Sequence, residues 1–536
     1  MTTIDEQYRP TGALPGGDGG GTHDLVLVGA GASTSYVLIS LLTALAADPP
    51  PRPLRIAVVE QAPDPFPGVA YGSRAARTCL LITPLREFLP PEELRLFTDW
   101  LSANRSWVLD EFLAAGGPVS SRWWARHREA VARGEFEDLF LPRYVFGLHL
   151  TERVRAAIDL AEEAGAADVD VVRDEVLSVE PDGPVHRVTG RQSALRAGSV
   201  VLATGSSPVV RRLYDAGEVG GAVLVDRPFD DMQDALDRTR VAMERRAPDA
   251  GPPHVVVIGG NAGTMDVLYQ LNDLPVVTEK GTVFSVLTPG GALPELLAEP
   301  RTGFVAACLS ELGSAPQVTA REVYAAALAD LQRGRDAGFA VGDTLAPISQ
   351  GVSALLPRLS EEQTLEFAGH WGVELGRHQR RAGWEYTEVV DELSREGRMA
   401  LVAGSFTGLA AGEGPGVRVR YSHGGVPTEL DRPADVVVNC GGPARALRDA
   451  TPSLVASLID RGVVRATRYG GGIAVDRDLA AAPGLYVMGP LLAGNIVHGQ
   501  PVWHMEHCGR ISAYGARLGR SLAGELTTAA TTTPPR

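Results

Sequence analysis

The sequence predicts an α/β protein with two parallel sheets, on three observations. A buried strand, Leu25–Val28, runs into "GAG" and then directly into a helix. The same order of strand, glycines and helix recurs at Val255–Ile258. Short apolar strands that end in glycine return near the C-terminus, in "ADVVVNCGGP" and "GLYVMGP". Units of this kind build Rossmann-like modules, and the late strands indicate that the second module, with added helices, is inserted into the first.

The domain boundaries follow from composition and periodicity. A chain of 536 residues exceeds a single core, and apolar spacings near 3.6 predict helices over 92–165 and 305–400. We expect a disordered lead-in at 1–21, the first part of the first module at 22–225, and the second module with a helical insertion at 252–430. The first module would be completed at 431–526, and a disordered tail would occupy 527–536.

Composition excludes several classes of protein. Hydrophobic residues make up 44% of the chain and charged residues 21%, as in soluble globular proteins. The net charge of −15 and the lack of a basic stripe argue against a nucleic-acid partner. Four scattered cysteines without a C-x-x-C pattern indicate neither a disulfide framework nor structural zinc, and they fit a cytoplasmic protein. The longest apolar stretch, "YVLISLLTALAA", is too short to span a membrane, and no signal peptide is apparent.

The first glycine turn has the features of a dinucleotide site. Gly29 would make the tight turn, and Gly31 would let the backbone approach a pyrophosphate at the positive N-terminus of the helix. Ser33 and Thr34 occupy the remaining places of the pattern, and Glu60 closes the second strand, where an acid reads ribose hydroxyls. The alternative is a glycine turn that serves only the packing of helix on strand.

Several segments together resemble a known family. They are "PGVAYG", "LPRYVFGLHL", "WGVELGRHQRR", "VVVNCGGP" and "LIDRGVVRATRYGGGIAVD". In this order they are similar to FAD/NAD(P)-binding flavoproteins of the type that includes FAD-dependent urate hydroxylase. The resemblance extends from about residue 22 to about residue 525 of the sequence.

The resemblance implies that the first module holds FAD. Its cofactor-binding residues would be Gly29, Gly31, Ser33, Thr34, Glu60, Gln61, Tyr71, Thr83, Arg143, Thr204, Gly205 and Gly489. For Tyr71 and Arg143, an ordinary half-buried aromatic and a structural ion pair are the alternatives. The chain departs from the family at Ile82-Thr83, where Asn is frequent, and at Trp503-His504, where Trp-Glu is favoured. Both positions are expected near the flavin, so the reaction can differ from that of relatives.

The second turn, "VVVIGGNAGTMD", is damaged as a nucleotide site. The pattern G-x-G-x-x-G reads Gly259, Asn261 and Thr264, and the side chain of Asn261 would intrude where a pyrophosphate must approach. The next strand ends on Thr288-Pro289, which offers neither an acid for a ribose nor an arginine for a 2′-phosphate. If NAD(P)H binds at all, Gly259 and Asn261 would form its turn, and NADPH fits less well than NADH.

Three histidines cluster in "HGQPVWHMEHC". His498 and His504 are the candidate catalytic residues, as a general base or hydrogen-bond donor beside the flavin. The spacing of His504 and His507 also occurs in metal sites, but no second ligand cluster accompanies it, so we expect no metal. The remaining alternative is a set of polar residues that cap a helix and face solvent.

The sequence therefore favours an FAD-dependent oxidoreductase, above all a monooxygenase that hydroxylates a small molecule. One alternative is an oxidase or dehydrogenase that does not use NAD(P)H directly and is reduced by its substrate or by an electron-donating partner protein. Another is a flavin-stabilised accessory protein without catalysis. A homodimer is also left open.

Overall fold

The computed structural model describes residues 21–206, 213–215, 217–247, 250–297, 300–411, 414–442, 446–447, 453–503 and 507–532, without the side chains of residues 107 and 108. The first part of the chain alternates strands and helices. Its strands are β1 His23–Val28, β2 Leu54–Glu60, β3 Ala167–Arg173, β4 Val176–Asp182, β5 Val185–Gly190 and β6 Ala194–Leu202. Its helices are α1 Ala32–Ala47, α2 Gly68–Tyr71, α3 Leu85–Phe88, α4 Pro91–Ala115, α5 Pro118–Arg133 and α6 Arg143–Glu163.

The middle of the chain forms the second module and its helical insertion. Its strands are β7 Gly217–Val219, β8 Ala222–Val225, β9 His254–Ile258, β10 Val283–Thr288, β11 Glu295–Leu296, β12 Arg381–Ala382, β13 Met399–Ala403, β14 Ser405–Ala411, β15 Val417–His423, β16 Val426–Glu429 and β17 Val436–Asn439. Its helices are α7 Met232–Arg245, α8 Ala262–Asn272, α9 Pro275–Glu279, α10 Ala307–Leu312, α11 Ala320–Asp336, α12 Val341–Leu355, α13 Glu361–Glu366, α14 Gly372–His378 and α15 Trp384–Arg395. Between α13 and α14 the chain makes a π-helical turn, Phe367–Trp371.

The last part of the chain returns to the first module. It contains α16 Leu454–Asp460, β18 Ala480–Ala482, β19 Leu485–Val487, β20 Asn495–Val497, β21 Gln500–Val502 and α17 Cys508–Thr532. Strand β19 pairs in parallel with β6, so it joins the sheet that β1 began. The first module is therefore split by the second, which confirms the predicted α/β architecture.

Two sheets organise the described residues. The first has eight strands; its main path runs β18-β19-β6-β1-β2-β3, and β5 joins β4 to β6. The second has six strands in the order β13-β10-β9-β17-β8-β7. In each sheet the strand that leads into the glycine turn, β1 or β9, lies between parallel neighbours. Both turns therefore lie at the carboxyl ends of central parallel strands, where α/β proteins bind their ligands.

The pairing of two strands corrects the predicted boundaries. Strands β8 and β17 pair with each other and belong to the second sheet. A boundary at 225 and a completion that starts at 431 are therefore wrong: the first module leaves off after β6 and resumes after β17. Both strands are four residues long and fully buried, so nothing in their local sequence tells which sheet they enter. The tail is also corrected in part, because α17 continues as helix to Thr532.

The helical insertion has a core of its own. Apolar residues of α10 to α14 form a cluster separate from that of the first module, and Trp503 packs against it. The Trp503 ring meets Phe367 of the π-helical turn edge-on, with ring centroids 5.6 Å apart. The insertion thus contacts the segment that follows β21 in the first module.

Candidate FAD site and the second nucleotide groove

The turn after β1 requires glycine at position 29. Gly29 has a φ of +91°, and a Cβ placed there would lie 2.6 Å from the carbonyl oxygen of Ala203. The hydroxyl of Thr34 donates to the carbonyl oxygen of Gly29 at 2.5 Å. Ala203, directly after the neighbouring strand β6, packs against the turn, and Thr34 of α1 bonds to it. The turn is thereby held in place, as a tight phosphate-binding turn needs.

The N-terminus of α1 is left without a side-chain cap. Gly31 is its N-cap residue, and no side chain of the described residues caps it by a hydrogen bond. A Cβ at Gly31 would meet only the Cα of Gly68, at 3.7 Å. The first N–H groups of a helix have no partner within the helix and carry partial positive charge. This N-terminus therefore offers an anion both donors and room for close approach.

Glu60 stands at the end of β2, beside the turn. Its Oε2 accepts a hydrogen bond of 2.7 Å from the backbone N–H of Ala30, and its Oε1 accepts one of 2.7 Å from Ala62. A small pocket opens next to it, lined by Glu60, Ala62, Pro63, Pro65, Val171, Val172 and Arg173. An acid at the end of this strand is placed to accept hydrogen bonds from ribose hydroxyls. The neighbouring Gln61 is exposed.

Two distant segments complete this site. After β6, the Thr204 hydroxyl oxygen is buried without a hydrogen-bond partner among the described residues. Gly205 follows with a φ of +76°, and a Cβ there would meet open space. After β19, Gly489 has a φ of +79°, and a Cβ there would lie 2.5 Å from the Ser33 hydroxyl oxygen. The chain thus gathers 29–34, 204–205 and 489 around the N-terminus of α1, and these residues are called the FAD cradle below.

These residues fit a bound FAD. The open cradle at Gly31, the carboxylate of Glu60 and the orphaned hydroxyl of Thr204 are a donor and acceptor set for a pyrophosphate and a ribose. A buried hydroxyl without a partner costs free energy, which a ligand's hydrogen bond would offset.

Three further residues were predicted to line the cofactor. The Tyr71 hydroxyl lies 3.1 Å from Sγ of Cys508, its ring packs edge-on against Phe146 at 5.0 Å, and burial raises the pKa of the Tyr71 phenol well above its usual value. Arg143 forms an ion pair with Asp266 of the second module. Thr83 is half-buried. Their roles as cofactor ligands stay predictions.

The two candidate catalytic histidines are placed differently. His498 is exposed in the turn that joins β20 to β21, with a φ of +51°. His504 lies outside the described residues. His507, the third histidine of the cluster, accepts a hydrogen bond from the backbone N–H of Gly509 on Nδ1 at 3.1 Å, and its Nε2 lies 2.9 Å from the carbonyl oxygen of Glu87. It thereby caps the start of α17, which fits the capping alternative.

The second turn uses its asparagine as a helix cap. Asn261 Oδ1 accepts from the backbone N–H of Thr264 at 3.2 Å, and Asn261 Nδ2 donates to the carbonyl oxygen of Cys440 at 2.9 Å. The Thr264 hydroxyl accepts from the Asn261 backbone N–H at 3.4 Å, which completes a capping box. Gly259, with a φ of +126°, keeps the tight turn. The Asn261 side chain thus accepts from a backbone N–H, that of Thr264, which would otherwise be free to bind a pyrophosphate.

Two other side chains pack against the start of α8. A Cβ at Gly260 would lie 2.4 Å from the Thr288 hydroxyl oxygen, and one at Gly263 would lie 2.7 Å from the Phe229 ring. Thr288, which cannot read a ribose, therefore packs directly on the turn. The contribution of Phe229 could not be foreseen, because no local pattern brings a residue that precedes α7 to the start of α8.

Two further observations concern other ligands. Among the described residues, no group of three or more His, Cys, Asp or Glu side chains is arranged to hold a metal ion. None of the helices in the described part of the chain is both long and apolar enough to cross a membrane.

The class of protein follows from the first module. Residues 26–207 match the sequence profile of a family described as FAD-NAD(P)-binding. The matched segment runs from β1 through the turn after β6, and it includes Gly29, Glu60 and Thr204. The prediction of an FAD/NAD(P)-binding module is thereby confirmed for this part of the chain. The narrower urate hydroxylase type stays a prediction.

Particular relatives cover nearly the whole chain. Uncharacterised proteins of Mycobacterium tuberculosis and Mycobacterium bovis are each 29% identical over 525 residues, which is 94% of this chain and 96% of theirs. An ornithine N-hydroxylase of a Kutzneria species has a similar fold, with a TM-score of 0.51, 16% identity and coverage of 94% of this chain and 100% of that one. A cadaverine monooxygenase of Erwinia amylovora, solved with FAD, also has a similar fold. Its TM-score is 0.51 and its identity 13%, and the match covers 95% of this chain and 96% of that one. At such identities the similarity establishes the fold, and function must be argued from the site.

Proposed function

We propose that this chain is an FAD-dependent oxidoreductase that hydroxylates a small molecule with molecular oxygen. The observation that carries the assignment of FAD to the first module is the contrast between two helix starts. At α1, Gly31 leaves the N-terminus uncapped and open. At α8, Asn261 caps the equivalent position. The first module therefore keeps the donors that a dinucleotide needs, and the second satisfies them internally.

Each part of the first site would act on a defined part of the cofactor. The N–H groups at the start of α1 would stabilise the pyrophosphate, and Glu60 would accept from the ribose hydroxyls. The Thr204 hydroxyl would donate to a cofactor atom, since it lacks a partner in the described chain. When bound, FAD supplies a two-electron carrier whose reduced form reacts with oxygen.

The substrate class is proposed from similarity. The neighbours of related fold are named for the hydroxylation of ornithine and for cadaverine monooxygenation, and the sequence resembles flavoproteins of the urate hydroxylase type. Primary amines and urate are therefore the first compounds to test.

The experiment begins with the purified protein reconstituted with FAD. We expect a flavin absorption spectrum, and NADH- or NADPH-dependent oxygen consumption that one of the test compounds stimulates, with a hydroxylated product identified by mass spectrometry. The Gly31→Ala variant is the matched control, because a methyl group there enters the space left for the pyrophosphate. Wild-type protein that binds no FAD would contradict the proposal.

A second candidate is an oxidase or dehydrogenase that does not use NAD(P)H directly. The observation that favours it is the filled groove of the second module, where Phe229, Thr288 and Asn261 occupy the start of α8. Anaerobic titration separates the candidates: bleaching of the flavin by a pyridine nucleotide supports the monooxygenase, and bleaching by an organic substrate alone supports the oxidase. Bleaching by neither, with FAD bound, would favour the accessory protein or an enzyme that a partner protein reduces.

The groove itself can be tested by opening it. We expect the double variant Phe229→Ala/Asn261→Gly to bind NADH more tightly than the wild-type protein, because both substitutions remove atoms from the start of α8. Phe229→Ala alone is the control, since it leaves the cap in place. Equal affinities in all three proteins would show that the groove is not what limits binding.

A further inference from the structure

One face of α8 is polar and yet buried. Asp266, Tyr269, Gln270 and Asp273 follow at helical spacing on α8 and at its C-cap, and their exposed fractions are 4%, 1%, 1% and 5%. Residues three and four apart share one face of a helix. Buried polar side chains need partners, and here the partners belong largely to the first module.

The end of this face binds the first module at two places. The Gln270 side-chain oxygen accepts from the Thr78 hydroxyl at 2.7 Å. Asp273 caps α5 from outside: it accepts from the backbone N–H of Ser120 at 2.8 Å, from the Ser120 hydroxyl at 2.6 Å and from the backbone N–H of Gly117 at 3.1 Å. The two modules are therefore joined by hydrogen bonds of fixed geometry.

The start of the face holds the segment 79–81. Asp266 forms a buried ion pair with Arg143, and Nε of Arg143 donates to the carbonyl oxygen of Leu80 at 3.1 Å. The hydroxyl of Tyr386, on α15 of the second module, donates to the same carbonyl oxygen at 2.9 Å. The second module therefore determines both hydrogen bonds to Leu80. Tyr386 donates one itself, and Asp266 holds the Arg143 side chain that donates the other.

The ion pair between Arg143 and Asp266 is buried, so each charge depends on the other. Burial lowers the pKa of Arg143, but the neighbouring carboxylate of Asp266 outweighs this and leaves the pKa above its ordinary value. Arg143 is therefore a cation whose counterion is Asp266, and the loss of either partner leaves a buried charge unpaired. The position of the guanidinium is consequently set by α8.

The start of α6, which Arg143 ties to Leu80, packs against the segment 67–71 beside the FAD cradle. Arg143 begins α6, and one turn later a Cβ at Gly147 would lie 2.1 Å from the carbonyl oxygen of Tyr71 and 2.9 Å from Cβ of Pro67. The chain at Gly68 in turn approaches Gly31, because a Cβ at Gly68 would lie 2.9 Å from the Gly31 Cα. Close packing therefore connects the start of α6 to the place where the pyrophosphate is expected.

We propose that Asp266 and Tyr386 are positioning residues for the FAD cradle. Both belong to the second module, and together they fix Leu80 and Arg143 at the start of α6, the helix that packs on 67–71 beside Gly31. This inference rests on the proposed function. It gives the second module a role that does not depend on nicotinamide binding.

The test uses the FAD-loaded protein and three variants. Tyr386→Phe removes one hydroxyl and keeps the ring, and Asp266→Asn keeps the shape but removes the charge. Asp273→Asn is the matched control, because it weakens the same interface at α5, away from Leu80. We expect the FAD dissociation constant to rise in Tyr386→Phe, by up to the roughly tenfold that one lost hydrogen bond can supply, and more in Asp266→Asn, with a shift of the flavin absorption bands in both.

The control separates positioning from stability. Asp273→Asn should lower the thermal midpoint and leave the FAD dissociation constant and the absorption bands unchanged. If Tyr386→Phe lowers only the thermal midpoint, the positioning role is overturned, even where Asp266→Asn does not fold. Wild-type protein that binds no FAD would overturn the proposed function together with this inference, so the two failures are distinguishable.

Discussion

The side-chain amide of Asn261 donates a hydrogen bond of 2.9 Å to the main-chain oxygen of Cys440, the residue that follows β17. The same side chain accepts from the N–H of Thr264, at the start of α8. One residue therefore caps a helix and ties it to the neighbouring strand, at the point where nucleotide-binding proteins usually have glycine.

Removal of this side chain should destabilise the second module. We expect Asn261→Ala to lower the free energy of unfolding by about 1–2 kcal/mol, the cost of a lost N-cap, as measured by urea denaturation. Asp231→Ala is the control, because Asp231 caps α7 through the N–H of Asp234 and, among the described residues, makes no bond to a neighbouring strand. A loss no larger than that of the control would mean that the bond to Cys440 adds nothing.

Substitution at Gly31 should separate folding from cofactor binding. Gly31 has an extended backbone, with φ −90° and ψ −171°, so alanine is tolerated there and can raise stability by about 0.4–1 kcal/mol. We expect Gly31→Ala to fold and yet to bind FAD at least about tenfold more weakly, since 1.4 kcal/mol of lost contact suffices for that factor. Calorimetric titration with FAD measures it.

The control for this substitution is Gly29→Ala. The positive φ of Gly29 and the nearby Ala203 carbonyl oxygen leave no place for a methyl group, so this variant should lose stability as well as FAD. Unchanged FAD affinity in Gly31→Ala would argue against a pyrophosphate at α1.

Thr204→Val should have opposite effects on the free protein and on the complex. Valine has the shape of threonine without its hydroxyl, which is buried and unpartnered among the described residues. The stability of the FAD-free protein should therefore stay unchanged or rise by up to about 1 kcal/mol, and FAD affinity should fall by about two- to tenfold. Thr34→Val provides the comparison: its hydroxyl is bonded to Gly29, so the free protein itself should become less stable.

Acid should destabilise the first module through His149. Its ring lies among Phe97, Trp100 and Phe146, and burial, followed by the charge of Arg153, lowers the pKa of His149 from 6.5 to about 3. The folded state then keeps the imidazole neutral while the unfolded state binds a proton below pH 6.5. The stability from this group is therefore complete above that pH and is lost as the pH falls toward 3.

The size of the effect can be measured by substitution. Between pH 7.5 and pH 5, the wild-type protein should lose about 2 kcal/mol through this group. His149→Phe should lose correspondingly less in urea denaturation at the two pH values. His378→Gln, at an exposed position, should behave as the wild-type protein does, and an unaltered pH dependence in His149→Phe would contradict the assignment.

The sequence sufficed for features that depend on local pattern. The glycine turns at Gly29 and Gly259, and the acid at Glu60, were predicted because a strand, a turn and a helix that follow one another leave their signals within a few residues. The placement of β8 and β17 in the second sheet was not, because pairing partners far apart in the chain leave no such signal.

The candidate site shows the same division. Asn261 was expected to obstruct a nucleotide, and the structure adds that it caps α8; Asn with Thr three residues later was already a sign of a cap. The alternative of an ion pair at Arg143 was foreseen, but its partner Asp266 is 123 residues away in the chain. Only folding brings the two together.

The late arrival of β19 has a consequence for synthesis on the ribosome. Strand β6 pairs with Leu485–Val487 along its last residues, Val200 to Leu202, so that part of its edge waits until some 280 further residues have been made. At about 5–20 residues per second, the wait is roughly 15–60 s. During this time the nascent chain carries an unpaired apolar strand edge, of the kind that invites aggregation, and the nested module can fold first beside it.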